Sequence, residues 1–566
     1  MFPDHWINRS SESQDTAAGQ HPVLARVLSS RMIPEWALQR KLALLPQPVL
    51  KGLSQAVQLL ECARREQWSI VVCGDYDVDG ATSTALVVRA LRAMGYLHVR
   101  YAVPDRFRMG YGLSHLLIDA ILGEGPVDLI ITVDNGTASI EAVDYAHSLN
   151  LRVLITDHHL PGPKLPTADA LVNPQQPGCP FPDKTLAGVG VAFYLMSALR
   201  SCLSGILPDS LPQAVSWLDL VALGSVADLV SLQGINRILV HHGLIRIRQK
   251  ACVPGIAALT EICGRELHRL QASDLGFYLG PRLNAAGRLE HMHIGIECLL
   301  TDELEQARML AQRLHQLNLD RRQIQDEMHA EAIDDLLGVE TCGQRTQVVF
   351  QEHWHEGIVG LLASRLKEKL HVPVIALAVS QEEGILKGSA RSIPGAHIRD
   401  LLAEIDAAHP GMLVRFGGHA AAAGLALRRE NLAAFQQIFE DFVVRRVEQS
   451  CFDHTFAFDG VLEPDHLSLD TAFLLEDAGP WGQGCPEPRF AGTFTIRKQQ
   501  LLKDRFLKME LQSGTRVISA IWFAPDLQHW PDPSVREVHA LYALDINRFR
   551  SQEQLQLRIE QMYPTS

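Results

Sequence analysis

Three short apolar runs in the first third of the chain lead directly into clusters of acids, and this feature constrains the fold more than any other. Residues 69–73 (Ser-Ile-Val-Val-Cys), 99–103, 129–133, 153–155 and 170–172 read as strands, with helices expected over 81–94, 113–122 and 138–149. Strands that are apolar throughout and alternate with helices predict a parallel sheet covered on both faces. In an open parallel sheet the carboxyl ends of the strands line one crevice. The first run enters Asp75-Tyr76-Asp77-Val78-Asp79-Gly80, the third Asp134-Asn135-Gly136 and the fourth Asp157-His158-His159. Residues distant in the chain are therefore expected to meet.

A lone Asp-x-Asp turn is commonly a solvated loop, and histidines at a strand end can simply cap a helix. Five carboxylates and two imidazoles in one crevice are different, because they repel one another unless cations hold them. Oxygen ligands with imidazole suit Mn²⁺ or Mg²⁺ better than a thiolate metal. Several ligands with one shared carboxylate point to two ions, the arrangement that clamps an in-line displacement at phosphorus. His241-His242 and His291-x-His293 lack neighbouring strand-end acids and read as structural or surface histidines.

Downstream, 186–250 is mostly helical. Residues 301–338 contain no proline and no internal glycine, with Thr301 expected to cap the start and Gly338 to end it. Ala307, Leu310, Leu314, Leu317, Ile324 and Met328 follow a 3–4 spacing, and Arg321 takes the missing position. Such a helix would be roughly 55 Å long, enough to bridge two lobes. A second α/β block follows, with strands at 347–350 and 374–378 and helices at 358–369, 398–405 and 430–444. His353, His355 and Glu356 read there as helix-start and packing residues. Beyond Ser450 come short alternating runs at 456–462, 490–496, 507–511, 517–523, 538–544 and 555–559, the pattern of a small β-barrel. Arg497, Lys498, Lys503, Arg505 and Lys508 cluster in it as a candidate DNA groove. Phe494, Phe506 and Trp522 lie in the same strands, either as stacking platforms for bases or as barrel core.

The chain has 566 residues, 47% of them hydrophobic and 21% charged, a globular balance with room for several domains. Its net charge of −13 argues against coating nucleic acid through bulk charge, but not against a local basic groove. No apolar run reaches membrane-spanning length, and residues 1–20 lack a basic start followed by an apolar core, so neither a membrane span nor a secretory leader is expected. The 10 cysteines show no C-x-x-C pair and are expected to be reduced thiols in a cytoplasm.

Asp75-Tyr-Asp-Val-Asp-Gly, Val133-Asp-Asn-Gly and Asp157-His-His resemble the first three motifs of the DHH phosphoesterase superfamily, and Ala227-Asp228-Leu229 resembles the fourth. Gly280-Pro-Arg-Leu-Asn-Ala-Ala-Gly-Arg288, Gly388-Ser-Ala-Arg-Ser and Gly417-Gly-His-Ala are similar to motifs of its bacterial single-strand-specific exonucleases and their DHH-associated domain. The resemblance implies a parallel-sheet catalytic domain at 51–300 after an N-terminal segment at 1–50, then a bridging helix at 301–338. A second α/β, DHH-associated domain follows at 339–449 and an OB-like barrel at 450–566. It implies Mn²⁺- or Mg²⁺-dependent hydrolysis of single-stranded DNA from the 5′ end to mononucleotides, in recombination and repair. Asp77, Asp79, Asp134, His158 and Asp228 are then the metal ligands, with Asp134 the bridge, and Asp75 and His159 are catalytic. His159 would contact the scissile phosphate or orient a ligand. Many family members carry a histidine where this chain has Cys73, with Asp75 the candidate substitute. Arg106, Tyr111, Arg282, Arg288, Asn318, Ser389, Arg391 and His419 correspond to substrate-binding positions. A monomer working with single-strand-binding protein and a RecQ-type helicase is implied as well. Two competing readings are a phosphodiesterase for short oligonucleotides or cyclic dinucleotides, and a single-strand-binding protein without catalysis.

Overall fold

The computed structural model describes residues 2–9, 21–106, 108–207, 211–337, 343–549 and 552–565. The chain forms two compact units, one of Met1–Gly287, His291–Leu314 and Ala457–Ser566, the other of Arg288–Glu290 and His315–Phe456.

The first unit is built on a five-stranded parallel sheet: β1 (Ile70–Cys73), β2 (Val99–Ala102), β3 (Leu129–Val133), β4 (Arg152–Thr156) and β5 (Ala170–Val172), in the order β2-β1-β3-β4-β5. Every residue of β1 and β3 is buried, as strands covered on both faces must be. Three helices complete the frame of the crevice: α1 (Val78–Ala93), α2 (Gly188–Leu203) and α3 (Leu218–Ala227). The expected strands are present to within a residue or two. The first helix starts at Val78 rather than 81, because Asp77 caps it, Oδ1 accepting from the Gly80 N–H at 3.0 Å.

The same unit contains a closed barrel of β11 (Phe490–Leu502), β12 (Phe506–Ser513), β13 (Arg516–Trp522), β14 (Glu537–Phe549) and β15 (Gln552–Pro564); β6–β10 belong to the second unit. Five of the six expected runs form it. The sixth, 456–462, does not: its strand, Phe456–Phe458, pairs with Trp6–Asn8 in a separate two-stranded sheet. Val23 and Val27 of the helix Pro22–Ser29 join the barrel core, so the N-terminal segment is packed onto the barrel.

The long helix α4 runs Leu304–Leu337, about 50 Å, and the division between the units falls inside it after Leu314. It begins three residues after the expected cap. Thr301 Oγ1 accepts the Glu303 N–H at 3.2 Å, while the first helical carbonyl acceptor is Glu303. Gly338, the expected terminator, lies outside the described residues. Ala307, Leu314, Leu317 and Met328 are buried as their spacing requires.

The second unit contains β6 (Gln347–Phe350), β7 (Val374–Val379), β8 (Ile385–Arg391), β9 (Leu413–Gly418) and β10 (Ala422–Arg428), in the order β9-β10-β8-β7-β6. Only β6 and β7 are expected from sequence; the other three are glycine-bearing strands whose text does not alternate. Among the described residues no helix is long and apolar enough to cross a membrane, and each cysteine is a free thiol.

Candidate metal centre

Strand β1 leaves the sheet through Gly74. The Asp75–Gly80 turn then folds tightly onto the start of α1, and a Cβ on Gly80 would lie 2.6 Å from the Asp75 nitrogen. The turn divides its three acids between tasks. Asp75, buried, accepts the Tyr76 N–H at 2.6 Å. Asp77 caps α1. Asp79 reaches the start of α2, where Gly188 and Val189 donate N–H bonds of 2.6 and 2.9 Å to its two oxygens. A helix N-terminus is a ready partner for such a charge.

Strand β3 ends at Asp134, whose φ of 63° lies in the left-handed region that a short polar side chain tolerates. The loop behind it is fixed by Asn135, which donates to the carbonyls of Cys73 (3.2 Å) and Val133 (2.9 Å). A Cβ on Gly188 would stand 2.6 Å from Asp134 Oδ1, so only glycine lets α2 approach this carboxylate. Strand β4 ends at Asp157, buried and wrapped in donors: the N–H groups of His158 (2.7 Å), His159 (3.1 Å) and Thr137 (2.8 Å), and His159 Nδ1 at 2.8 Å. Asp228 arrives from elsewhere, as the C-terminal cap of α3.

These side chains meet in three overlapping trios, Asp79–His158–Asp228, Asp134–His158–His159 and Asp75–Asp77–Asp134. Within each trio one donor atom per residue lies within 4.8 Å of the others. His158 Nε2 is 3.1 Å from Asp134 Oδ1 and 3.6 Å from Asp228 Oδ2. All seven residues expected as ligands or catalytic groups are thus brought together, and Asp134 is common to two trios.

Electrostatics states what the site lacks. Burial, then the Asp77 charge, raises Asp75 well above its ordinary range and lifts Asp79 to about 7. Burial followed by the Asp79 and Asp77 charges does the same to Asp134 and Asp228. Asp134 Oδ1 is buried yet accepts no hydrogen bond. A crowd of carboxylates with an idle buried oxygen fits divalent cations. Asp157 behaves oppositely: burial works to raise it, but the His159 hydrogen bond and charge and the backbone donors hold it at about 2. For His159, burial works downward and is outweighed by Asp157, then Asp75 and Asp77, so its pKa is raised. Asp157 is the functional residue that sequence reasoning left without a role, although the Asp-His-His triplet itself announces it. Cys73 is packed in an apolar cluster with its thiol pushed up by burial to about 12; Asp75, not Cys73, belongs to a ligand trio.

Of the expected substrate-binding residues in this unit, Tyr111 is half-exposed, donates to the Asp134 carbonyl at 3.2 Å and lies 3.4 Å from His159 Nε2. Arg106 stacks 4.8 Å over the Tyr76 ring. Arg282 is buried, donating to the Tyr278 carbonyl at 2.7 Å. In the second unit Arg391 donates to Ser389 Oγ (2.6 Å) and Ser364 Oγ (3.1 Å), so Ser389 and Arg391 act as one polar group. Arg288 Nη1 donates to the Gly357 carbonyl at 3.1 Å, and His419 closes the β9–β10 turn by donating its N–H to Ala422. Asn318 is fully buried in α4, its oxygen accepting from Arg321 at 2.9 Å and its Nδ2 without a hydrogen-bond partner.

In the barrel, Arg497, Lys498, Lys503, Arg505 and Lys508 are all exposed on β11, β12 and the turn between them. In that three-residue turn Lys503 and Asp504 lie at φ 52° and 49°, in the left-handed region. Phe494 and Trp522 belong to the core; Phe506 lies at the surface with Phe523, ring centroids 5.5 Å apart. The histidines read as structural have local partners: His242 Nε2 is 2.8 Å from the Arg40 carbonyl and His293 Nδ1 3.1 Å from Tyr101 Oη. His353 pairs with Glu331 at 2.9 Å, Glu356 with Lys387 at 3.3 Å, and His355 accepts the Gly357 N–H.

Acids and imidazoles delivered by the ends of parallel strands define a DHH phosphoesterase. The chain matches the DHH family N-terminal domain over residues 69–225, the DHHA1 domain over 343–445 and the RecJ OB domain over 458–561. It is 47% identical over 554 residues to the single-stranded-DNA-specific exonuclease RecJ of Dickeya dadantii, covering 96% of each chain. Against the Escherichia coli protein of the same name it is 46% identical, covering 98% of each. A crystal structure of RecJ from Thermus thermophilus in complex with Mn²⁺ is similar over 99% of this chain and 80% of that one, with TM-score 0.78 and 28% identity. The chain belongs to the RecJ family.

Proposed function

We propose that the chain hydrolyses single-stranded DNA from the 5′ end to mononucleotides, with two Mn²⁺ or Mg²⁺ ions, in DNA recombination and repair. The observation that carries this reading is the convergence of Asp75, Asp77, Asp79, Asp134, His158, His159 and Asp228 into overlapping trios. Asp77, Asp79, Asp134, His158 and Asp228 would hold the ions, which when bound would neutralise these carboxylates and supply Lewis-acid polarisation of the scissile phosphodiester. His159, whose pKa is raised by Asp157 against the effect of burial, donates to the phosphate and offsets the charge that grows on it in the transition state. Tyr111, against Asp134 and His159, walls the site on that side. Arg106, Arg282 and Arg288, with Ser389, Arg391 and His419, contact DNA phosphates. On this reading 51–300 is the catalytic domain, joined by 301–338 to the associated domain at 339–449, and 450–566 is the DNA-binding barrel. The enzyme works as a cytoplasmic monomer alongside single-strand-binding protein and a RecQ-type helicase.

The substrate class is tested by offering the full chain, with Mn²⁺, a single strand, its duplex and a cyclic dinucleotide. The single strand should be degraded and the other two spared; faster cleavage of the dinucleotide would replace this reading with a small-molecule phosphodiesterase. The barrel's part is tested by salt. Replacing Lys498, Lys503 and Lys508 together by Gln should flatten the plot of log affinity against log salt by about 0.7 for each phosphate that is no longer neutralised. An unchanged slope in the folded variant would mean these lysines do not touch DNA.

A further inference from the structure

Strand β5 is an edge of the first sheet, three residues long, and supplies no member of the ligand trios. The residue that follows it, Asn173, is fully buried, and both ends of its amide are in use. Its Nδ2 donates to the His159 carbonyl at 2.9 Å and to Thr137 Oγ1 at 3.0 Å. Its Oδ1 accepts the Gln175 N–H at 2.7 Å, an Asx turn that fixes the plane of the amide. Thr137, also buried, donates its own N–H to Asp157 Oδ2 at 2.8 Å, and Asp157 Oδ1 lies 2.8 Å from His159 Nδ1. Residues that follow β3, β4 and β5 thus close a ring, Asn173–Thr137–Asp157–His159. Asp157 holds the imidazole, and Asn173 holds the main chain that carries it. The side chain suits the place: aspartate has the same shape but no N–H to give, and alanine deprives the His159 carbonyl and the Thr137 hydroxyl of this donor.

We propose that Asn173 is a positioning residue for the hydrolysis: it sets where the His159 ring stands against the scissile phosphate, by pinning the His159 carbonyl and bracing Thr137 against Asp157. The inference rests on the reading of the chain as a single-strand hydrolase in which His159 donates to that phosphate. A group that must meet developing charge is sensitive to its placement, and a displacement of about 1 Å can cost about 10²-fold in rate. None of the three Asn173 hydrogen bonds goes to a residue assigned to the ions. Losing them should therefore be felt in turnover rather than in ion binding.

The test makes Asn173→Ala and Asn173→Asp in the full chain, each alone and combined with His159→Gln, and follows cleavage of a single strand with Mn²⁺ in single turnover, so that slow variants stay measurable. Either replacement alone should lower the rate at saturating strand by about 10–100-fold, the usual cost of removing an outer partner of an active-site group. The half-saturating strand concentration should stay within about twofold, and the Mn²⁺-induced rise in Tm should be retained. In the His159→Gln protein the same replacements should lower the rate by less than about threefold more, because the group they position is already gone. If alanine unfolds the chain, Asn173→Asp, which keeps the shape and the bond from Gln175, carries the comparison. An equal loss with and without His159 would overturn the proposal and make Asn173 a brace of the edge strand alone. Unchanged turnover in the folded variants, or a lost Mn²⁺ response, would overturn it as well, and in each of these cases the hydrolase reading stands. A wild type that cuts no single strand would overturn both.

Discussion

Asp134→Asn should lower single-strand hydrolysis by at least about 10³-fold, because Asp134 is shared by two of the three ligand trios and its loss disturbs both proposed ions. Asparagine is the informative replacement. It tolerates the φ of 63° that alanine would strain against, and it keeps the side chain's shape while removing one charge. The same substitution should raise the Tm of the metal-free protein at pH 7, since one of several mutually repelling buried carboxylates is gone. Mn²⁺ should raise the Tm of the wild type, because it binds only the folded chain, and should raise that of the variant far less. Turnover within tenfold of wild type at saturating Mn²⁺ would remove Asp134 from the centre.

Asp157→Asn should reduce kcat by about 10²–10³-fold while the Mn²⁺-induced rise in Tm is retained. Asp157 ligates nothing in the proposed centre. Its charge is spent on His159 Nδ1, 2.8 Å away, and on three backbone N–H groups. The sign of the pH effect follows from the raised pKa of His159. Without the Asp157 charge, His159 loses its proton at a lower pH, so the alkaline limb of the activity profile should move toward acid. A variant whose loss of activity is the same at every pH would mean that Asp157 only braces the loop. Loss of the Mn²⁺ response would mean that it is needed for the ions.

The metal centre was more legible in the sequence than the lobe that follows it. Fully buried strands such as Ile70–Cys73 and Leu129–Val133 announce themselves as runs of mostly β-branched residues, and an acid just past the end of such a run has one place to go. Ile385–Arg391 and Ala422–Arg428 carry Gly388 and Gly424 and are only partly apolar, so they lack both periodicity and strand propensity. Asp228 sits at a helix end with no acidic neighbour in sequence; only the likeness of Ala-Asp-Leu to a family motif singled it out. Asn318 has no local signal in the sequence beyond its likeness to a family position; only the fold shows it buried in α4 beside Arg321. The 456–462 run alternates like a barrel strand, but its partner is Trp6–Asn8, a pairing across the whole chain that local pattern does not disclose.

The account is tested most directly by the fate of a label at the 5′ end of a long single strand digested with Mn²⁺. If this chain hydrolyses single strands from the 5′ end, the label should appear as mononucleotide from the first time point, while a 3′ label stays on long DNA until late. Release of the 3′ label first, or a ladder of labelled intermediates from internal cuts, would contradict it.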